Sequence, residues 1–423
     1  MARLFDAFFD AALSRFLRVG DVAVTDCKGR TRRFGDGSGP PVVVRFVDAA
    51  ARWRLLANPE LAFGDLYMDG RLVLERGDLY DLVALGARNV AVGARDPWQR
   101  VGKALRRLAA MLAPSNDRRR ARDNVRRHYD IGDDVYALFL DEDWQYSCAY
   151  FERANLSLED AQRAKKRHVA AKLLLKPGMK TLDIGSGWGG LGLYLAEMCG
   201  SQVTGVTLST EQLARARRRA QERGLGDRAD FRLQDYRDLS GAFDRIVSVG
   251  MFEHVGRRGY DEYFGHVRRL LADDGVMLLH SIGASGPPEP TNPWIDRHVF
   301  PGGYIPSLSE VLPAIERAGL YVTDVEILRL HYADTLAEWR RRFRARMDEA
   351  RALRDGRFCR MWDFYLCAAE AAFRVFGHMV FQIQIAKSQS VVPRTRDYLA
   401  AAEDELRRRE GEGGGEGYRL AGE

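Results

Sequence analysis

The sequence predicts an α/β fold built on a parallel sheet and preceded by a small α+β domain, and three observations carry that prediction. From residue 180 onward short apolar runs alternate with stretches of helical periodicity, the pattern of a parallel sheet covered by helices. The first of those runs ends in a glycine-rich turn, Asp183-Ile-Gly185-Ser-Gly187-Trp188-Gly189-Gly190, that leads straight into a helix. Before residue 108 extended runs and turn residues follow an initial helix without that repeat.

Taken in order, Leu4, Phe5, Phe8, Phe9, Ala12, Leu13, Phe16 and Leu17 share one face at helical spacing, so residues 4 to 17 read as an amphipathic helix packed on a core. Val22 and Val24 alternate with polar neighbours, a Gly/Asp/Ser/Pro turn covers 35 to 41, and Val42 to Val47 is a second extended run. This small domain is assigned 1–108. A polar stretch with Pro114, Ser115 and an arginine cluster makes 109–123 a linker, and 124–402 forms the second domain. Its predicted strands are 181–184, 202–207, 230–233, 243–249 and 276–281, with helices to Met198, from Thr210 and over 308–318. Residues 321–328 suit a closing edge strand, while 334–350 and 360–386 read as covering helices. The tail 403–423, with its glycine and glutamate run, is too polar to order.

A length of 423 residues fits two or three domains, and 46% hydrophobic with 29% charged residues is a globular balance. No apolar stretch approaches the ~18 residues of a membrane span. Asp6 and Asp10 interrupt any signal-peptide core, which predicts the cytoplasm. Five scattered cysteines form no C-x-x-C pair, so neither disulfides nor a metal site is expected. The net charge is +6, with arginine runs at 118–120, 217–219 and 340–346. These are solvated helix faces or contacts to an anionic phospholipid surface; nucleic acid ranks behind, because no nucleic-acid motif accompanies the charge.

The glycine loop taken alone suits two ligands. Gly185, Gly187 and Gly190 satisfy the dinucleotide fingerprint, but that motif wants an acid roughly 20 residues later, and the second strand ends at Thr207-Leu208-Ser209. Asp183, two residues before the first glycine, suits a ligand carrying an ammonium group, as the methionine part of S-adenosylmethionine does. A glycine turn serving only the backbone is the plain alternative.

Eight pieces in order then become recognisable. They are Asn124 to Asp130 (Asn-Val-Arg-Arg-His-Tyr-Asp), Gln145 to Phe151 (Gln-Tyr-Ser-Cys-Ala-Tyr-Phe), the glycine loop, Val206 to Gln212, Ser248 to Gly256 (Ser-Val-Gly-Met-Phe-Glu-His-Val-Gly), Leu278 to Gly283, Phe300 to Ser307, and His331-Tyr332. Over roughly residues 120 to 400 the chain resembles the cyclopropane fatty acid synthases and the related mycolic acid methyltransferases. The resemblance implies a class I S-adenosylmethionine-dependent methyltransferase, with a Rossmann-like seven-stranded sheet and helical cover. It implies an accessory lipid-binding domain at the N-terminus and a homodimer lying peripherally on the inner face of the membrane. The implied activity adds the carbon of S-adenosylmethionine to the cis double bond of unsaturated acyl chains in membrane phospholipids. A methyl- or methylene-branched acyl product from the same scaffold is the alternative.

Carried over by the resemblance, Tyr146, Ser147, Asp183, Gly185, Gly187, Gly189, Thr207 and Gln212 contact S-adenosylmethionine, with Asp235 and Tyr236 at the adenine end. Gln212 has a structural rival, since Ser209-x-x-Gln212 is also a capping box. Ring closure needs a base to take a proton from the newly added methyl group, and the family solution is a bound bicarbonate. It is held by Cys148, Glu253, His280, Ile282 through its backbone, and Tyr332, with the carboxylate and the imidazole orienting it and receiving its proton. Read without the resemblance, Cys148 is a small buried residue, Glu253 a helix cap and His280 a core histidine.

Overall fold

The computed structural model describes residues 2–93 and 131–413. The predicted linker, the domain limit at 108 and the Asn124 to Asp130 motif lie outside those residues.

The N-terminal unit runs α1 (Ala2–Phe16), β1 (Asp21–Thr25), β2 (Thr31–Phe34), β3 (Pro41–Phe46), α2 (Ala49–Ala57), α3 (Pro59–Met68), β4 (Leu72–Arg76) and α4 (Leu79–Gly93). Its four strands lie in the order β2-β1-β3-β4. Alternation in β3 buries Val42, Val44 and Phe46, and the ring of Phe9 from α1 meets Phe46 edge-on at 5.6 Å. Asp48 caps α2 by accepting from the Ala51 amide at 2.8 Å, and Asn58 with Pro59 starts α3.

This unit is docked on the rest. Phe63 and Tyr67 of α3 pack on Phe364, at ring separations of 5.5 and 6.0 Å. A side chain at Gly64 would run into the Trp294 indole, so the helix reaches that ring only as glycine. Arg340 bridges Asp78 and Asp363 at 2.6 and 3.0 Å across the same seam.

The larger unit follows as α5 (Asp133–Tyr136), α6 (Leu158–Lys172), β5 (Lys180–Ile184), α7 (Gly190–Cys199), β6 (Gln202–Thr207), α8 (Thr210–Glu222), β7 (Ala229–Leu233), β8 (Phe243–Val249), α9 (Tyr260–Leu270), β9 (Leu271–Ala284), α10 (Pro293–His298), α11 (Leu308–Arg317), β10 (Tyr321–Leu328), α12 (His331–Ala345), α13 (Met347–Leu353), α14 (Gly356–Val375), β11 (His378–Ala386) and α15 (Asp397–Gly413). The sheet has seven strands in the order β10-β11-β9-β8-β5-β6-β7. One apolar layer packs α9 and α11 on one face, and a second packs α6, α7 and α8 on the other. The strand order reverses between β5 and β8, and a crevice opens there at the carboxyl ends. Among the described residues no helix is long and apolar enough to cross a membrane.

Three expectations need correction. The sheet is mixed rather than parallel, because β11 pairs antiparallel with both β9 and β10. The helix expected over 360–386 stops at Val375: Gly377 turns the chain at φ +71°, and the β-branched Val380, Ile383 and Ile385 continue as a fully buried strand. Gln382 and Gln384 alternate with Phe381, Ile383 and Ile385, the period of a strand and not of a helix. The tail expected from 403 is helical as far as Gly413, since Leu406 buries on α6 and α7 while Glu410 takes hydrogen bonds from Arg167 and Tyr194.

Candidate active site

The glycine loop leaves β5 and enters α7 with Gly185, Gly187 and Gly189 at φ +83°, +54° and +81°, a path open to glycine and strained for other residues. A Cβ on Gly185 would lie 2.8 Å from Met251, so the loop is packed to the limit on the turn after β8. The cleft above it is lined by Tyr146, Ser147, Asp183, Gly185, Gly187, Thr207, Gln212, Asp235 and Tyr236. Of the residues expected at the cofactor, Gly189 is the one the cleft does not reach. Its Cβ position faces Ala216 and Phe231 at 2.9 Å, so it serves helix packing, and Gly190 lines the cleft instead.

Asp183 is the electrostatic centre of this wall. Its Oδ2 is buried with no hydrogen-bond partner among the described residues, and burial raises its pKa to about 7. A buried acceptor beside a glycine cradle fits a ligand with an ammonium group. Ser186 Oγ is likewise buried and unpartnered. Gln212 fits both of its readings: its backbone amide donates to Ser209 Oγ at 3.3 Å as at a capped helix start, and its side-chain oxygen takes the Thr207 hydroxyl at 3.0 Å, inside the cleft wall. Asp235 is held by Arg237 through both carboxylate oxygens, at 2.9 and 2.7 Å, and caps the short helical turn after β7.

Sequence reasoning missed several residues of this wall. Lys165 of α6 is buried, its pKa pulled by burial to about 8, and donates to Gln145 Oε1 at 2.7 Å and Ser147 Oγ at 2.8 Å. Gln162, one turn earlier, donates to the Gln145 and Ser147 carbonyls at 3.2 and 2.9 Å. These two side chains pin the 145–147 segment. The charge-rich composition of α6 carries no sign that these side chains are buried. Trp144, at φ +60°, and Trp188 also line the cleft, and the Arg215 guanidinium lies 3.7 Å over the Trp144 ring. Tyr146 stacks on Trp339 at 5.1 Å and meets the Tyr365 hydroxyl at 3.2 Å, which makes the inner wall aromatic.

Cys148, Glu253, His280, Ile282 and Tyr332 stand apart from the cleft lining. Glu253 sits in a short helical turn after β8 and caps nothing: its Oε1 accepts from the Ile282 amide at 2.6 Å. Among the described residues its Oε2 is buried without a hydrogen-bond partner, and burial raises the carboxyl to about 7. His280 is buried, bonded through Nδ1 to Gln382 at 3.1 Å, and burial drives its pKa well below the ordinary range. Burial pushes the Cys148 thiol up, and its Sγ donates to the Ala149 carbonyl at 3.3 Å. The Ala149 amide donates to Thr335 on α12, the helix that carries Tyr332. Tyr332 packs against Trp339 and Phe373, with ring separations of 5.8 and 5.0 Å.

Sheet order, glycine loop and unpartnered acid together define a class I S-adenosylmethionine-dependent methyltransferase. Residues 116–383 match the family described as mycolic acid cyclopropane synthetase. The chain is 40% identical over 335 residues to the cyclopropane-fatty-acyl-phospholipid synthase of Escherichia coli (strain K12), covering 79% of this chain and 85% of that protein. It is 35% identical over 355 residues to a tuberculostearic acid methyltransferase of Mycobacterium tuberculosis, covering 80% and 81%. A cyclopropane synthase of known structure from Mycobacterium tuberculosis superposes with a TM-score of 0.60 at 34% identity, over 63% of this chain and 98% of that one. A mycolic acid cyclopropane synthase solved with SAH and CTAB gives the same TM-score at 35% identity, over 62% and 97%. The chain belongs to the cyclopropane synthase family. It is an S-adenosylmethionine-dependent C-methyltransferase.

Proposed function

We propose that this enzyme places the methyl carbon of S-adenosylmethionine on the cis double bond of an unsaturated acyl chain in a membrane phospholipid and closes it to a cyclopropane, with a bound bicarbonate as base. The observation that carries the reading is the buried Glu253 carboxyl, fixed by Oε1 to Ile282 and unpartnered at Oε2. Bound S-adenosylmethionine supplies an electrophilic methyl group. An isolated alkene is a weak nucleophile, so the protein must align it within ~3.5 Å and exclude water, a task suited to the aromatic wall of Tyr146, Trp339 and Tyr365. Bicarbonate would be held by Cys148, Glu253, His280, Ile282 and Tyr332, and supplies the base for the methyl proton. A carboxyl near pKa 7 suits Glu253 to carry that proton onward. The E. coli relative over most of the chain supports the phospholipid substrate.

The N-terminal unit supports peripheral contact with the inner membrane face: Leu4, Phe8 and Trp53 are 76%, 61% and 54% exposed on a chain of net charge +6. A homodimer is the proposed assembly. A second reading, a methyl- or methylene-branched acyl product, is favoured by the match to the tuberculostearic acid methyltransferase.

The test incubates purified protein with S-adenosylmethionine, bicarbonate and unsaturated phospholipid vesicles. Cyclopropane lipid identified by NMR is expected from wild type, with loss in Glu253→Ala and Tyr332→Ala. A branched product establishes the second reading, and methylation confined to soluble small molecules overturns both.

A further inference from the structure

His280 lies on β9 directly opposite Gln382 on β11, and both are buried. The Gln382 amide has two neighbours, His280 Nδ1 at 3.1 Å and Lys172 Nζ at 2.7 Å. Lys172 has a second partner, the Glu326 carboxylate. Burial pushes Glu326 up, but His168 and Lys172 outweigh it and hold the group at about 2, so the lysine faces a full negative charge. An ammonium has protons to give and no lone pair to accept with, so the Gln382 carbonyl must be the end that faces Lys172. The amide nitrogen is then turned to His280, and an NH2 group only donates. His280 Nδ1 is therefore the acceptor, and its ring proton resides on Nε2.

We propose that Gln382, oriented by Lys172, is a positioning residue that fixes His280 as the neutral tautomer with its proton on Nε2, so that His280 serves the active site as a hydrogen-bond donor and not as a base. The surroundings of the ring agree: burial first, then Lys165, Lys172 and His168, disfavour a charge on it and outweigh Glu326, which favours one. A donor is what an anion held among these residues needs from the imidazole. The proton lost from substrate is left to Glu253, the carboxyl of the set, held near neutrality by burial. This sharpens the expectation that carboxylate and imidazole share that proton. The donor role rests on the bicarbonate reading above, whereas the tautomer itself does not.

Long-range proton–nitrogen correlation of 15N-histidine-labelled enzyme reads the tautomer in the resting protein, the His280 signal being the one lost in His280→Asn. The expected spectrum is a neutral ring protonated on Nε2 from about pH 5.5 to about pH 8.5, with no titration. In Gln382→Glu a carboxylate faces both Lys172 and the ring, so the proton moves to Nδ1. Ring formation then falls about 10- to 100-fold, the cost usual for a lost outer partner, while S-adenosylmethionine binds as in wild type. Gln382→Met, of similar volume and without either polar group, keeps the fold but loses the single tautomer. A wild-type His280 that titrates near neutrality or carries its proton on Nδ1 overturns the proposal. So does a Gln382→Glu enzyme that swaps tautomer and keeps its rate. A wild type with the expected tautomer that forms no ring on any vesicle removes the proposed function and leaves the tautomer standing.

Discussion

Glu253 Oε1 accepts the Ile282 amide at 2.6 Å, joining the turn after β8 to the end of β9. The bond consumes one lone pair of the carboxyl and leaves Oε2 buried and unpartnered. A carboxylate in that position is destabilised by lost solvation, so the folded protein holds the proton up to about pH 7.

That shift predicts a pH-dependent stability difference. The unfolded carboxyl ionises near 4.5 and the folded one near 7, so ionisation favours the unfolded chain, with a penalty that grows between those values and is constant above them. At 1.36 kcal/mol per unit the plateau is on the order of 3 kcal/mol. Glu253→Gln retains an acceptor for Ile282 and removes the charge. It should melt above wild type at pH 8, with the gap closing as the pH is lowered towards 4.5, and it should lose at least ~100-fold in ring formation. Equal melting temperatures at alkaline pH would contradict the buried carboxyl.

Asp183 predicts a proton linked to cofactor binding. Its free carboxyl ionises near 7, and the ligand's ammonium selects the ionised form, so affinity for S-adenosylmethionine should rise with pH up to about 7 and level off above it. Titration calorimetry at pH 6 in two buffers of different ionisation enthalpy should register proton release. Asp183→Asn exchanges a charge-assisted bond for a neutral one, a loss of about 1.5 to 3 kcal/mol, or roughly 10- to 150-fold in affinity, and its binding should no longer vary with pH. A pH-independent wild type would remove the acid from the ligand site.

These two acids differ in how far the sequence revealed them. Asp183 could be placed because a strand, an acid and a glycine turn are contiguous, and local geometry alone puts the carboxyl at the cleft. Glu253 could be placed only through the family motif, since its partner Ile282 is on another strand and no periodicity links the two. Lys165 and Gln382 were not legible at all. One sits in a helix whose composition imitates a solvated face, and the other alternates with Phe381, Ile383 and Ile385 as a strand residue does but has its partners, Lys172 and His280, on distant elements that no local pattern reveals. The tail failed for a related reason: its glycine-rich end suggested disorder, while the contacts that order it are to Arg167, His168 and Tyr194, more than two hundred residues earlier.

The docking of α15 carries the last prediction. His168 lies between two carboxylates, Nδ1 to Glu403 Oε1 and Nε2 to Glu326 Oε2, both at 2.6 Å, with Tyr150 stacked 4.3 Å from its ring. Burial lowers the histidine's pKa, Glu326 and Glu403 raise it, Lys172 lowers it, and the net shift is upward. A histidine raised on folding contributes stability that is fully present below its unfolded value of 6.5 and is lost as the pH rises through the folded value. Because Glu403 is on α15 and Glu326 on β10, losing that proton weakens the seat of the terminal helix first. Hydrogen exchange of residues 397–413, corrected for the intrinsic pH dependence of exchange, should show protection falling above neutrality. Glu403→Gln removes one of the two charges that hold the proton, so the decline should begin at lower pH. His168→Gln should give low protection that is flat with pH, and a wild-type helix whose protection does not change between pH 6 and pH 9 would show that α15 is held by Leu406 and Glu410 without the histidine.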